Sequence, residues 1–214
     1  MSLTPIVFLH GFLGRPSDWD PVISYLPPCP TIKIELPGHG QTPFTKNFTF
    51  ASSPEKFHLV GYSMGGRLAL QYARKFPDQI ASLSILSAHP GLQTPIEKKL
   101  RLEQDAKWAA KLLDLPIDEF LTQWYDQILF KSFKPDFSMR REHDPKALAA
   151  TMIEYSLGYQ EFYQPKEALY LVGEKDEKYR AIYKFAQVIP NTGHVIHLEN
   201  PKAVAEALKQ RIFL

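Results

Sequence analysis

Six short apolar runs alternate with segments of helical spacing along this chain, and that alternation restricts the possible folds more than any other feature. The runs are IVFLH (Ile6–His10), TIKIEL (Thr31–Leu36), FHLVGY (Phe57–Tyr62), LSILSA (Leu83–Ala88), ALYLVG (Ala168–Gly173) and FAQVIP (Phe185–Pro190). They are apolar without strict alternation, as strands covered on both faces are. Between them, GGRLALQYARKFP and NPKAVAEALKQRI repeat apolar residues at helical spacing. The pattern predicts an α/β architecture: a mostly parallel sheet of about six strands flanked by helices.

One stretch breaks the alternation. From about Gly91 to Gln164 no strand is evident, and helical segments are expected near Ile96–Leu113, Ile117–Phe130 and Pro145–Tyr159. The expected organisation is a core of residues 1–90 and 165–214 with a helical cap, residues 91–164, inserted between two strands. The crossover Gln41–Lys56 contains two prolines and has room for a loop or one turn of helix. It should leave one sheet face more exposed, a surface that could favour self-association.

Composition removes several function classes. At 44% hydrophobic over 214 residues the chain can bury a core. A net charge of +2 with no Lys/Arg run argues against a nucleic-acid binder. Cys29 is the only cysteine, so no intrachain disulfide or cysteine-based zinc site can form. No apolar run approaches 18 residues, and MSLTPIVFLHGF lacks the basic start and cleavage site of a signal peptide. The expectation is a soluble cytoplasmic protein, a monomer or weak homo-oligomer, with no nucleic-acid or membrane partner. The histidines lack metal-ligand spacing and no phosphate-binding glycine loop is evident, so no metal and no cofactor are expected.

Gly61-Tyr62-Ser63-Met64-Gly65 fits G-x-S-x-G. A strand turning sharply into a helix holds such a serine in a strained, exposed position, and small flanking residues let the backbones pass. The helix N-terminus then turns its N–H groups on the site. A serine hydroxyl needs a histidine beside it. Among seven histidines, His194 lies in a glycine-containing loop after the last strand, where the chain order Ser, acid, His requires it. His197 is its near competitor and reads as a packing or loop-bonding residue. His58 reads as structural and His143 as solvated. The acid should follow the preceding strand, where YLVGEKDEKYR offers Glu174, Asp176 and Glu177. Asp176 is preferred, because the loop needs length to reach the histidine. Met64, after the serine, and Phe12, after the first strand, are the expected oxyanion-hole N–H donors.

Arg67 stands one helical turn after Ser63, on the same face. A buried positive charge is costly unless an anion meets it, and guanidinium suits a carboxylate. The competing reading is an arginine that snorkels to the surface.

HGF, LPGHG, GYSMGG, GEKD and GHVIHLENP together resemble the α/β-hydrolase fold. The cap segments HPGLQTPIEKKLRLEQDAKW, TQWYDQ and MRREHDPKALAATMIEYSLGYQ are similar to those of the 2-succinyl-6-hydroxy-2,4-cyclohexadiene-1-carboxylate synthases of menaquinone biosynthesis. That resemblance implies a lyase with a Ser-Asp-His triad that eliminates pyruvate from a small-molecule polycarboxylate by proton abstraction. It places the triad on Ser63, Asp176 and His194. It places substrate-binding groups on Tyr62, Arg67, Arg101, Trp124 and Arg140, with Arg141 as the substitute for Arg140. The alternative is a serine hydrolase of the same triad (a carboxylesterase, thioesterase or C–C bond hydrolase) acting on an acidic substrate.

Overall fold

The computed structural model describes residues 4–49 and 55–213. Six strands form one all-parallel sheet: β1 Ile6–Leu9, β2 Thr31–Ile34, β3 Phe57–Tyr62, β4 Ile80–Leu86, β5 Leu169–Gly173 and β6 Gln187–Ile189. Their order across the sheet is β2-β1-β3-β4-β5-β6. The expected parallel sheet of about six strands is therefore what forms. Strand bounds shift by up to three residues: β2 ends two residues before its apolar run does, β4 begins three residues earlier than its run, and β6 is only three residues long.

Along β1, successive side chains enter opposite layers, as pleating requires. Val7 and Leu9 join Leu59, Leu68, Leu70 and Ile85 on the side covered by helix α2, Met64–Lys75. Ile6 and Phe8 join Trp19, Val22, Val204 and Leu208 on the other side. That side is covered by α1, Asp20–Ile23, and α8, Pro201–Phe213. Phe8 and Leu59 are both fully buried, and each such side chain adds about 1.5–3 kcal/mol of burial. The edge strand β2 is only half-buried. Within 41–49 and 55–56 the crossover holds no helix; its residues 50–54 lie outside the described set. On the layer covered by α2, Ile32 and Ile34 of β2 are only partly buried, and Phe48 of the crossover packs onto it.

Between β4 and β5 stand α3, Pro95–Asp114, α4, Ile117–Tyr125, and α5, Pro145–Glu154. Thr94 starts α3 with a capping box closed by Glu97, and Pro95 occupies the first turn. Asp144 caps α5 by accepting from the Lys146 N–H. The three helices enclose their own small core of Ala109, Leu112, Phe120, Leu121, Leu148 and Met152, with Leu13 of the sheet exit among them. Three short helices went unforeseen: α1, α6 Glu177–Ile182 and α7 Ile196–Glu199. Four to six residues contain too little periodicity to read.

Candidate active site

Ser63 sits between β3 and α2 with φ 50 and ψ −113, a left-handed region that an L-residue enters only under constraint. The neighbouring glycines explain how the corner closes. A Cβ on Gly65 would lie 2.3 Å from the His10 carbonyl oxygen, and one on Gly61 would lie 2.5 Å from the Gly65 carbonyl oxygen. The first turn of α2 is thus pressed against the exit of β1.

Ser63 Oγ lies 3.2 Å from His194 Nε2, and His194 Nδ1 lies 2.8 Å from Asp176 Oδ2. The carboxylate makes Nδ1 the protonated nitrogen and leaves Nε2 to accept from the serine hydroxyl. Asp176 is also the N-cap of α6, accepting at Oδ1 from the Tyr179 N–H at 3.2 Å. The helix start therefore fixes the carboxylate that fixes the imidazole. Tyr179, Tyr62 and Phe130 surround the His194 ring, with centroids 4.9, 5.4 and 5.8 Å away. Glu174 and Glu177 are exposed. His197, fully buried, packs between Trp19 and Tyr62 at 4.8 and 4.2 Å.

Two hollows meet at Ser63. The larger, about 130 Å³, is lined by Phe12, Met64, Arg67, Arg101, Trp124 and Lys178 among others. The smaller, about 40 Å³, is lined by Phe12, Tyr62, Trp124, Arg140 and His197. Phe12 and Met64 thus reach the same hollow as the serine, where oxyanion donors must stand.

The arginines differ in how their charge is met. Arg67 donates from Nη1 to the Tyr155 carbonyl oxygen at 2.7 Å, a neutral partner. Burial, and then the like charge of Arg101, press its pKa down to about 10. Arg101 donates from Nε to both oxygens of Asp105, at 2.8 and 2.9 Å. Arg140 donates from Nη2 to both oxygens of Asp18 at 2.8 Å. Arg141 pairs with Asp118 on the surface, half-exposed, so Arg140 is the one of the two that lines a hollow beside Ser63.

Lys178 was missed in the sequence, where EKDEK reads as a solvated charge run. It lines the larger hollow two residues after Asp176, and burial with the nearby charge of Arg101 lowers its pKa. Its signal was position: a residue in the first turn of a helix capped by Asp176 turns back towards the site. The larger hollow is then lined by three cations, Arg67, Arg101 and Lys178, and by one carboxylate, Asp105.

His143 is corrected: it is 3% exposed, not solvated. It completes a buried chain of imidazoles, His10 to His39 at 5.0 Å and His39 to His143 at 5.3 Å. His39 Nε2 accepts from the Leu13 N–H at 3.1 Å, and His143 Nε2 donates to the Leu13 carbonyl at 3.1 Å. Leu13 has φ 62. Two histidines therefore hold a strained residue immediately after Phe12, and the loop that carries Phe12 is fixed from both sides. His10 Nε2 accepts from the Leu36 N–H at 3.0 Å. Burial keeps all three neutral, pushing His10 to about 3, His143 to about 4 and His39 well below the usual value.

No group of three or more His, Cys, Asp or Glu side chains suited to a metal ion occurs among the described residues. None of the described helices is long and apolar enough to cross a membrane.

A sequence profile of the alpha/beta hydrolase family matches residues 6–207. The chain is 35% identical to the 2-succinyl-6-hydroxy-2,4-cyclohexadiene-1-carboxylate synthase of Enterobacter sp. (strain 638), over 96% of this chain and 90% of that protein. It is 32% identical to the protein of the same name from Citrobacter koseri, over 96% and 92%. Its backbone is similar to the solved structure of MenH from S. aureus, with TM-score 0.80 and 26% identity over 99% of this chain and 95% of that one. A thermophilic esterase from Thermogutta terrifontis shares the fold at TM-score 0.74 and 20% identity, covering 98% of this chain and 89% of that one.

Proposed function

This chain belongs to the alpha/beta hydrolase family and, within it, to the 2-succinyl-6-hydroxy-2,4-cyclohexadiene-1-carboxylate synthases, and we propose that Ser63, His194 and Asp176 carry the pyruvate elimination that gives this product in menaquinone biosynthesis. The substrate is 2-succinyl-5-enolpyruvyl-6-hydroxy-3-cyclohexene-1-carboxylate. It bears three carboxylates. The observation that carries the reading is the charge around Ser63: three cations line the larger hollow, and its one carboxylate is already held by Arg101. A pocket for a neutral ester would gain nothing from that excess.

Elimination begins at the carbon beside the succinyl carbonyl. Ser63 Oγ takes the proton from that carbon as its own hydroxyl proton passes to His194 Nε2. The C–H electron pair becomes an enolate, and the N–H groups of Phe12 and Met64 stabilise its oxygen. Asp176 stabilises the imidazolium. The enolate then collapses through the ring: its electrons form the C2=C3 double bond, the existing C3=C4 pair moves to C4=C5, and the C5–O bond to the enolpyruvyl group breaks. His194 returns its proton to the leaving group, which leaves as pyruvate. Water attacks nowhere in this sequence, so no acyl-serine is needed. Arg67, Arg101 and Lys178 hold carboxylates in the larger hollow. Arg140, already neutralised by Asp18, presents its guanidinium in the smaller one, beside Tyr62 and Trp124.

Replacing Ser63 by Ala tests the role of the serine. The expected outcome is a fall in pyruvate release of at least about 10²-fold, the lower range for losing a positioned proton-transfer group. Turnover near that of wild type would remove Ser63 from the mechanism. A hydrolase reading has one observation behind it, since the same Ser63–His194 geometry can activate a serine for acyl transfer. Ester cleavage separates the two.

A further inference from the structure

The residues that end α5 reach both arginines of the larger hollow, Arg67 directly and Arg101 through Asp105, though they belong to a different helix from either. Tyr155 supplies the carbonyl that receives Arg67 Nη1 at 2.7 Å. This is an end-of-helix carbonyl, where a cation is favoured by the unsatisfied oxygens and by the dipole. Ser156, the next residue, is 3% exposed, and its hydroxyl donates to Asp105 Oδ2 at 2.6 Å. The Gly158 N–H donates to the same serine oxygen at 3.1 Å, which aims the hydroxyl proton at the carboxylate. Asp105, 5% exposed, then receives Arg101 Nε with both oxygens.

A buried carboxylate beside a hollow meant for anions repels what the site should hold. Its position is explained if its task is to aim Arg101. Bound through Nε, the guanidinium is fixed in plane while its terminal NH₂ groups stay available for a bidentate carboxylate.

We infer that Tyr155 and Ser156 form a single brace that orients Arg67 on α2 and Arg101 on α3, and that Ser156 and Asp105 are positioning residues for the anion-binding arginines. The inference rests on the polycarboxylate reading of this hollow. Because the brace joins the sheet side to the cap side, it also sets the distance between the two guanidinium groups.

The test uses the full chain and a probe that does not depend on turnover. Trp108 and Trp124 line the hollow, so their fluorescence reports binding of tricarballylate, a plain tricarboxylate anion. Ser156→Ala alters no charge and should weaken the anion by roughly tenfold. Ser156→Thr, which keeps the hydroxyl, should restore affinity to within about twofold of wild type. In an Arg101→Lys background, where no Nε fork is present to aim, Ser156→Ala should cost less than about twofold. Equal losses in the two backgrounds would overturn the brace, as would wild-type protein with no saturable response. Asp105→Asn gives an independent reading. Weaker binding fits a positioning role, whereas tighter binding would mean that Asp105 acts only as an opposing charge. Pyruvate release by the wild-type chain is scored separately, and its absence would overturn the lyase reading without deciding the brace comparison.

Discussion

His194 Nδ1 and Asp176 Oδ2 stand 2.8 Å apart, with both side chains only 1% exposed. Both are shielded from bulk solvent, and the carboxylate selects the imidazole tautomer that leaves Nε2 open to Ser63. Asp176→Asn keeps the shape but can hold the ring in the other tautomer. The expected result is a fall in kcat of about 10³–10⁴-fold, the size of effect that loss of the orienting acid has in a serine triad. Steady-state pyruvate release with a parallel thermal melt checks it. A loss of less than tenfold would show that the tautomer is set by something other than Asp176.

Arg67 offers a sharper contrast between function and stability. Its guanidinium is partly buried against a neutral carbonyl, and its pKa is pressed down to about 10 by burial and by Arg101. A structural arginine would stabilise the fold, whereas one awaiting an anion would not. Arg67→Gln should reduce kcat/KM by about 10²-fold, since truncating one partner of a buried charge pair costs about 2–5 kcal/mol. Unfolding free energy should change by less than about 1 kcal/mol. Urea melts decide the matter, and a larger destabilisation would make Arg67 part of the scaffold.

The imidazole chain behind Phe12 predicts acid sensitivity. His143 titrates near 6.5 when unfolded and at about 4 when folded. Between those values the unfolded chain binds a proton that the folded chain refuses, so stability falls as pH falls. The full contribution is present above about 6.5 and is lost on approach to pH 4, roughly 3 kcal/mol for this group. His10 and His39 add to the same slope. Urea unfolding across pH 7.5 to 4.5 should show stability declining, and His143→Gln should flatten that slope by up to about 1.4 kcal/mol per pH unit. An unchanged slope in the variant would show that His143 is protonated at no cost.

The parts of the site readable in the sequence were those fixed by local geometry. Ser63 was legible because a strand, two glycines and a helix meet within five residues. His194 and Asp176 followed from chain order, and α3 differs by one residue at each end from its expected span. What stayed hidden depends on distant pairing. Asp18 meets Arg140 across 122 residues, and His143 meets Leu13 across 130. His143 looked solvated because RREHDPK is polar, yet two loops of the sheet converge on its ring. Lys178 was obscured by its charged neighbours, and Asp105 and Ser156 carry no local signature at all. The smaller hollow shows the same limit of pattern reading: Arg140 could be placed by resemblance, but nothing nearby announces that Asp18 neutralises it.

The most direct measurement is pyruvate release by the purified chain from 2-succinyl-5-enolpyruvyl-6-hydroxy-3-cyclohexene-1-carboxylate, run beside p-nitrophenyl acetate hydrolysis. The three cations and the acyl-free mechanism predict rapid pyruvate release with negligible ester cleavage. Ester cleavage without pyruvate release would contradict the lyase and leave Ser63 as the nucleophile of a hydrolase for an acidic substrate.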